Sequence, residues 1–285
     1  MRQDRLIATA LMLVALSAIS GLALITVFIF KAGMPLIIEA GARGFFLSSD
    51  WDPKGGSFGI LSMIAGSLVV TGGAMIIGTV FGLGLAIVLT KFCPEGLATV
   101  LKPLIELLAG IPSVVYGFIG VVTIAPLVRA HLGGPGLSVL TASIVLGVMV
   151  LPTVTSISVD AIKAVPRSYW EGSIALGATE WQSTYMVLLK AARSGIVAAI
   201  ILGMGRAIGE TMAVIMVAGN TLEVPHGPLD PVRTLTSNIA LEMGYASGKH
   251  RDALFATAVT LFIIIMLLNT AALIIARRGI RGGGR

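Results

Sequence analysis

Five stretches of this chain run for more than twenty residues without an acidic or basic side chain: 6–30, 60–90, 107–128, 132–159 and 253–276. A sixth, 195–217, is interrupted only by Arg206 and Glu210. Apolar residues fill these blocks from end to end instead of recurring along one stripe, so no helix face is left for water. Each block can cross a hydrocarbon core of about 30 Å at about 1.5 Å per residue. Only 12% of the 285 residues are charged, too few to cover a water-soluble surface of this size. The expected fold is all-α, with six transmembrane helices in a single integral membrane domain over 1–285. Within it, 1–59 forms a first span and an outer loop. Residues 60–276 form a five-helix core that carries a polar inner segment at 160–193.

Arg2 and Arg5 stand ahead of the first apolar block, as in a secretory signal. That block is longer than a signal's apolar region, and Ser17, Ala18, Ser20 and Gly21 lie inside it. An uncleaved span is expected. Cys93 is the sole cysteine, so neither an intramolecular disulfide nor a cysteine metal cluster is expected. Charge orients the helices. With the N-terminus inside, twelve Lys and Arg fall in cytoplasmic segments, among them Arg2, Arg5, Lys91, Lys102, Lys163, Arg167, Arg277, Arg278, Arg281 and Arg285. The outer segments hold seven, from Lys31 to Arg251, matched by seven acids. The net charge of +6 then belongs to the inner face, as the positive-inside tendency requires, with both termini cytoplasmic. The basic balance reports topology. A nucleic-acid surface would need a groove of interleaved aromatic and basic residues, a pattern this sequence lacks.

The outer connections 31–59 and 218–252 are broken by Pro35, Pro53, Pro225, Pro228 and Pro231 and carry several charges. They are large enough to receive a protein from that side, although solvated connectors look the same. The longest inner connection, 160–193, exceeds what two neighbouring helices need. It reads as helix, turn, helix. Pro166 suits a helix start, Ser168 and Glu171 stand at capping-box spacing, and Gly177 permits a tight bend. Thr179 or Glu180 can begin a second short helix with Trp181, Tyr185 and Val187. Gly172, Ser173, Ala175 and Ala178 keep one surface thin enough for another protein to approach closely. An amphipathic interfacial helix, anchored at the membrane surface by Trp170 and Trp181, explains the same composition without a partner.

Glu171, Gly177, Val187 and Leu189 fall at the spacing of a cytoplasmic loop in permease subunits of bacterial ATP-binding-cassette importers, which this chain resembles. In that family the loop reads E-A-A, three residues, G, nine residues, I-x-L-P. Here Gly172 and Ser173 stand for the alanines, Val187 for isoleucine and Lys190 for the usual proline. Val165-Pro166-Arg167-Ser168-Tyr169-Trp170 and Ala175-Leu176-Gly177-Ala178-Thr179-Glu180-Trp181 are similar to the phosphate-specific branch. Gly110-Ile111-Pro112-Ser113 and Gly205-Arg206-Ala207-Ile208-Gly209-Glu210-Thr211 extend the likeness. Trp51-Asp52-Pro53 and Ala218-Gly219-Asn220 resemble the PstC-type subunit more than its PstA-type partner.

The resemblance covers nearly the whole chain. It implies a type I importer permease fold in the cytoplasmic (inner) membrane, forming the pathway for inorganic phosphate. It implies no enzymatic activity in this chain, and it places ATP and Mg at partner ATPase subunits. The implied partners are a homologous second permease forming a heterodimer, two ATPase subunits, and a periplasmic or surface phosphate-binding protein. Coupling to the ATPase would fall to Glu171, Gly172, Ser173, Gly177, Ala178, Val187 and Leu189. The alternatives are a permease for another oxyanion, such as sulfate or molybdate, and an ion-coupled secondary carrier. The long inner loop and the lack of an inverted repeat argue against the carrier.

Arg206 lies about eleven residues into its block, about 16 Å deep. Glu210 follows four residues later, on the same face of a continuous helix. A lone charge at that depth costs upward of about 2.5 kcal/mol, so both should face protein or water. Arg206 would offer a bidentate guanidinium to a tetrahedral oxyanion. Glu210 would hold and partly neutralise it between passages, and Thr211 is the third expected pathway residue. An ion pair locking two helices is the competing reading. Gly78 and Gly82, like Gly205 and Gly209, stand four apart, a spacing that lets membrane helices pack closely. The second pair would leave room beside the charges for a hydrated ion. His131, His226 and His250 show no metal-ligand spacing, and Gly244 to His250 falls one residue short of a phosphate-binding loop. No metal or cofactor is expected on this chain.

Overall fold

Helix α1 (Arg2–Ala40) runs ten residues beyond the first apolar block and passes through Pro35. Membrane helices tolerate proline where neighbouring groups re-satisfy the freed carbonyl. The computed structural model describes residues 2–281, and within them the side chains of 7–94 and 96–274. Arg285, counted among the inner charges, lies outside the described residues, as do the side chains of Arg2, Arg5, Arg277, Arg278 and Arg281. After α1 come the short α2 (Ala42–Phe46) and a two-residue hairpin of β1 (Trp51–Asp52) and β2 (Ser57–Phe58). The stretch 31–59 is therefore helical over its first half, where a loop is expected from its prolines and charges.

Helix α3 (Leu61–Ile87) continues as a π-helical turn to Phe92. Next is α4 (Glu95–Ala109), then α5 (Ser113–Ile119) and α6 (Ala125–Leu132), joined by a π-helical turn into one crossing. The third apolar block is thus divided: its first residues end α4, and the crossing starts only after Gly110-Ile111-Pro112. α7 (Val139–Lys163) is capped by Ser138, whose hydroxyl accepts the Thr141 amide. α8 (Arg167–Ala175), α9 (Glu180–Gln182) and α10 (Leu189–Ala191) build the connection to α11 (Arg193–Gly209). α12 (Met212–Val217), α13 (Leu235–Glu242) and α14 (Lys249–Arg281) complete the chain. Five of these stretches are long and apolar enough to cross a membrane. The pair Glu180–Ala191 and Arg193–Gly209, bent by 70°, brings the number to six.

Central helix α7 is flanked by α3 and α11. Small residues set that spacing. A Cβ at Gly78 would lie 3.2 Å from the Gly147 carbonyl oxygen, and one at Gly82 would lie 3.0 Å from Cβ of Val154. On α11 it is Gly203 that makes the close approach, with Val150 Cγ1 2.8 Å from a Cβ position, whereas Gly205 and Gly209 face open space. Buried side chains form three clusters, a middle one around Leu146, Val150 and Val214 and one towards each end of the bundle. α1 is peripheral, with none of its most apolar stretch buried. It leans on α14 through edge-to-face pairs of Phe28 with Phe255 and Phe30 with Phe262, at 5.5 and 5.8 Å.

The end opposite the 160–193 segment is tied by a buried carboxylate. Glu242 accepts from Trp51 Nε1 at 3.0 Å and from Arg233 Nη1 at 2.7 Å, and lies 2.8 Å from His250 Nε2. A buried charge without partners would be strongly destabilising. Here both oxygens are used, and the hairpin at Trp51 is fixed to the 218–252 connection.

Candidate functional site

Two helix breaks meet in the middle of the bundle. α4 ends at Ala109 and α11 at Gly209, and the residues that follow each end restart as the half-helices α5 and α12. Glycine brings those half-helices together: a Cβ at Gly117 would lie 3.1 Å from Cα of Ala213. Arg206 sits in the last turn of α11, about 20 Å along that helix from its start. Its Nη1 donates to Thr153 Oγ1 and its Nη2 to the Ala109 carbonyl, each at 3.4 Å. Ala109 is the last residue of α4, so its carbonyl is one that the helix leaves without an internal partner. The guanidinium, carried on the last turn of α11, therefore meets the C-terminus of α4, where a helix end carries about half a negative charge. That arrangement lets a half-buried arginine persist without a carboxylate, and no carboxylate among the described residues pairs with it. Two long contacts leave most of its five N–H donors free.

Glu210 departs from the expected pairing. α11 ends before it, and at φ −69° and ψ 133° its backbone is extended, so the i+4 geometry of a continuous helix does not apply. Its Oε1 accepts the Ala213 amide at 3.2 Å, capping α12, and its carbonyl accepts Thr236 Oγ1 at 3.0 Å. Thr211, half-exposed, donates to the Gly209 carbonyl at 3.3 Å. The structure thus brings Arg206, Glu210 and Thr211 to one break but gives the two charges different partners. Thr153 and the Ala109 carbonyl were not legible as members of the site, because both lie in other helices. The one signal was Gly110-Ile111-Pro112, a helix stop inside an apolar run.

The 160–193 segment folds as helix, turn, helix. Pro166 precedes α8, but Ser168 and Glu171 form no capping box; α8 has no side-chain cap. The capping box forms instead at the start of α9: Thr179 Oγ1 accepts the Gln182 amide at 3.2 Å, and Gln182 Oε1 accepts the Thr179 amide at 2.9 Å. Gly177 makes the bend at φ +86°. Ser173 differs from the thin-surface expectation. It is buried, its hydroxyl donates to the Trp170 carbonyl at 2.8 Å and contacts the Ser183 hydroxyl, and so it joins the two short helices instead of facing outward. Gly172 and Glu171 do face outward, Ala178, Val187 and Leu189 are half-buried, and Leu176 at the tip is 90% exposed. Trp170 is half-buried under Lys91 Nζ at 4.2 Å, whereas Trp181, 6.1 Å from the Phe92 ring, stays largely exposed.

Lys102 of α4 is held to the C-terminal end of α7 by Asp160 at 2.9 Å, with Glu106 at 3.9 Å. The hydrogen bond to Asp160 raises the lysine above its ordinary pKa.

Residues 78–279 match the family described as binding-protein-dependent transport system inner membrane component. The chain is 40% identical over 272 residues to the probable ABC transporter permease protein YqgH of Bacillus subtilis, covering 93% of this chain and 87% of that one. It is 36% identical over 253 residues to the phosphate transport system permease protein PstC of Xylella fastidiosa, covering 82% and 77%. Among solved structures, a chain of a bacterial alginate ABC transporter superposes with a TM-score of 0.63 at 14% identity, covering 93% of this chain and 94% of that one. A chain of the MetNI methionine ABC transporter, in its inward facing conformations, gives 0.59 at 23%, covering 75% and 93%. At such identities the structural likeness speaks to fold alone.

Proposed function

The chain belongs to the family of binding-protein-dependent transport system inner membrane components, folded as a type I ABC importer permease, and from that premise we propose that it forms the pathway for inorganic phosphate. Membership makes it a multi-pass, non-catalytic inner-membrane subunit that works with an ATPase and a periplasmic binding protein. The finer assignment adds a homologous second permease, two ATPase subunits holding ATP and Mg, and a phosphate-binding protein. In this reading both termini and the 160–193 segment face the cytoplasm, as the charge asymmetry requires.

The observation that carries the proposal is the environment of Arg206. It is a deep cation balanced by a helix end instead of a carboxylate, with open space at Gly205 and Gly209. A tetrahedral oxyanion entering that space meets unspent donors in a setting of reduced dielectric, where charge-assisted hydrogen bonds are strong. Relatives named for phosphate transport support phosphate over other oxyanions. Coupling runs through the tip at Leu176 and Gly177, flanked by Glu171 and Gly172, with Ser173 as the internal joint. The test is uptake of labelled phosphate by the assembled transporter in vesicles against excess sulfate or molybdate. Phosphate alone should compete. Equal competition by sulfate would move the assignment to another oxyanion.

A further inference from the structure

Beside the coupling segment, a cavity of about 640 Å³ opens between the ends of α3 and α7 and one face of α8. Lys91, Lys163 and Arg167 line it, against Glu171 as the single carboxylate of the lining. Arg167, Trp170 and Glu171 stand at i, i+3 and i+4, so they present one face of α8 to the cavity. None of the three cations has a carboxylate within ion-pair distance among the described residues. Lys102, one helix away, shows the contrast: its charge is already met by Asp160 and Glu106. Lys91 is held in place over the Trp170 ring.

We propose that this cavity binds a phosphate-bearing anion, either the headgroup of an anionic phospholipid or free inorganic phosphate. Three cations gathered around one open cavity repel one another, and a phosphate group relieves that repulsion. The position fits both sources. The ends of two spans lie at headgroup depth, where basic pockets between membrane helices hold acidic lipid headgroups. Under the orientation proposed above, the same cavity opens to the compartment into which phosphate is delivered. The volume lies within the range of ordinary ligand sites. A bound anion would bridge the ends of α3 and α7 to α8, and so set the stance of the coupling helix. The inference rests on that orientation but not on the role of Arg206.

The test uses the whole transporter in nanodiscs of phosphatidylcholine, with or without phosphatidylglycerol. Native mass spectrometry counts retained phosphatidylglycerol, and labelled inorganic phosphate is titrated in the phosphatidylcholine discs. Lys163→Gln with Arg167→Gln should weaken anion binding about 25-fold, from about fivefold for each cation near a membrane surface. Lys54→Gln, on the far side of the bundle, serves as the control and should change nothing. If the double variant fails to assemble, Lys163→Gln alone, at an exposed helix end, should show the fivefold effect. Loss of phosphatidylglycerol retention identifies the lipid headgroup as the source; loss of phosphate binding with lipid retention unchanged identifies free phosphate. No change in either overturns the site. Normal phosphate uptake in an Arg206→Gln variant would overturn the pathway reading and leave the effect of Lys163→Gln and Arg167→Gln on anion binding unaffected, so the two readings fail separately.

Discussion

Arg206 and Glu210 stand four residues apart and do opposite things. Arg206 lies in the last turn of one helix and reaches two others; Glu210 lies just ahead of the next and caps it. The arginine was legible because a charge at that depth must have a purpose. The glutamate's partner was not, because i+4 arithmetic assumes an unbroken helix. A stop at Gly209 followed by a start at Thr211 was the local signal. Different partners give different expectations. Arg206→Gln should lower phosphate uptake by about 10- to 100-fold, the worth of a hydrogen bond to a charged group, with normal amounts of assembled complex. Glu210→Gln keeps an acceptor for the Ala213 amide, so uptake should stay within about twofold, while Glu210→Ala should cost about 1 kcal/mol of stability through the lost cap. Uptake and membrane-inserted complex, measured side by side, decide the matter. A Glu210→Gln variant as inactive as Arg206→Gln would restore the ion pair as a working element.

At the scale of elements, the helix-turn-helix of the 160–193 segment was legible in outline, since Gly177 and Thr179 are bend and cap residues whose signals are local. Its interior was not. Ser173 looked like part of a thin outer surface, and only the return of the chain through Ser183 turns it inward. The bend offers a graded test. Nothing lies within 4 Å of a Cβ placed at Gly177, so a substitution there acts through its φ of +86° and not through a clash. A left-handed conformation costs an ordinary L-residue about 1–2 kcal/mol, and asparagine less. Co-purification with the ATPase should therefore fall in the order Gly177→Asn, Gly177→Ala, Gly177→Val. Indifference to all three would separate the bend from coupling. The same logic at Leu176 predicts that Leu176→Asp leaves the chain inserted but loses the ATPase, because the side chain touches solvent alone in the free subunit.

For the whole molecule, apolar block length foretold six crossings but misplaced several ends. It could not reveal that α1 extends to Ala40, since a polar, proline-bearing stretch looks like a loop until Leu36 is seen buried in the cluster around Trp51. Nor could it reveal the Glu242 network, whose members come from three separate segments. That network bears on the topology, because it fixes the Trp51 hairpin and the 218–252 connection to the same end of the bundle, with 160–193 at the other. One orientation then settles all three. Single cysteines in a Cys93→Ser background test it. Asp50 and Glu223 are exposed and suit the purpose, whereas Asp230 accepts the His226 and Gly227 amides and would unfold its turn if replaced. Asp50→Cys and Glu223→Cys should react with an impermeant thiol reagent on intact cells, and Glu180→Cys only after the membrane is opened. Labelling at Glu180→Cys on intact cells would invert the molecule. The Arg206 geometry would survive that result, but the tip proposed for coupling would then face away from any cytoplasmic ATPase.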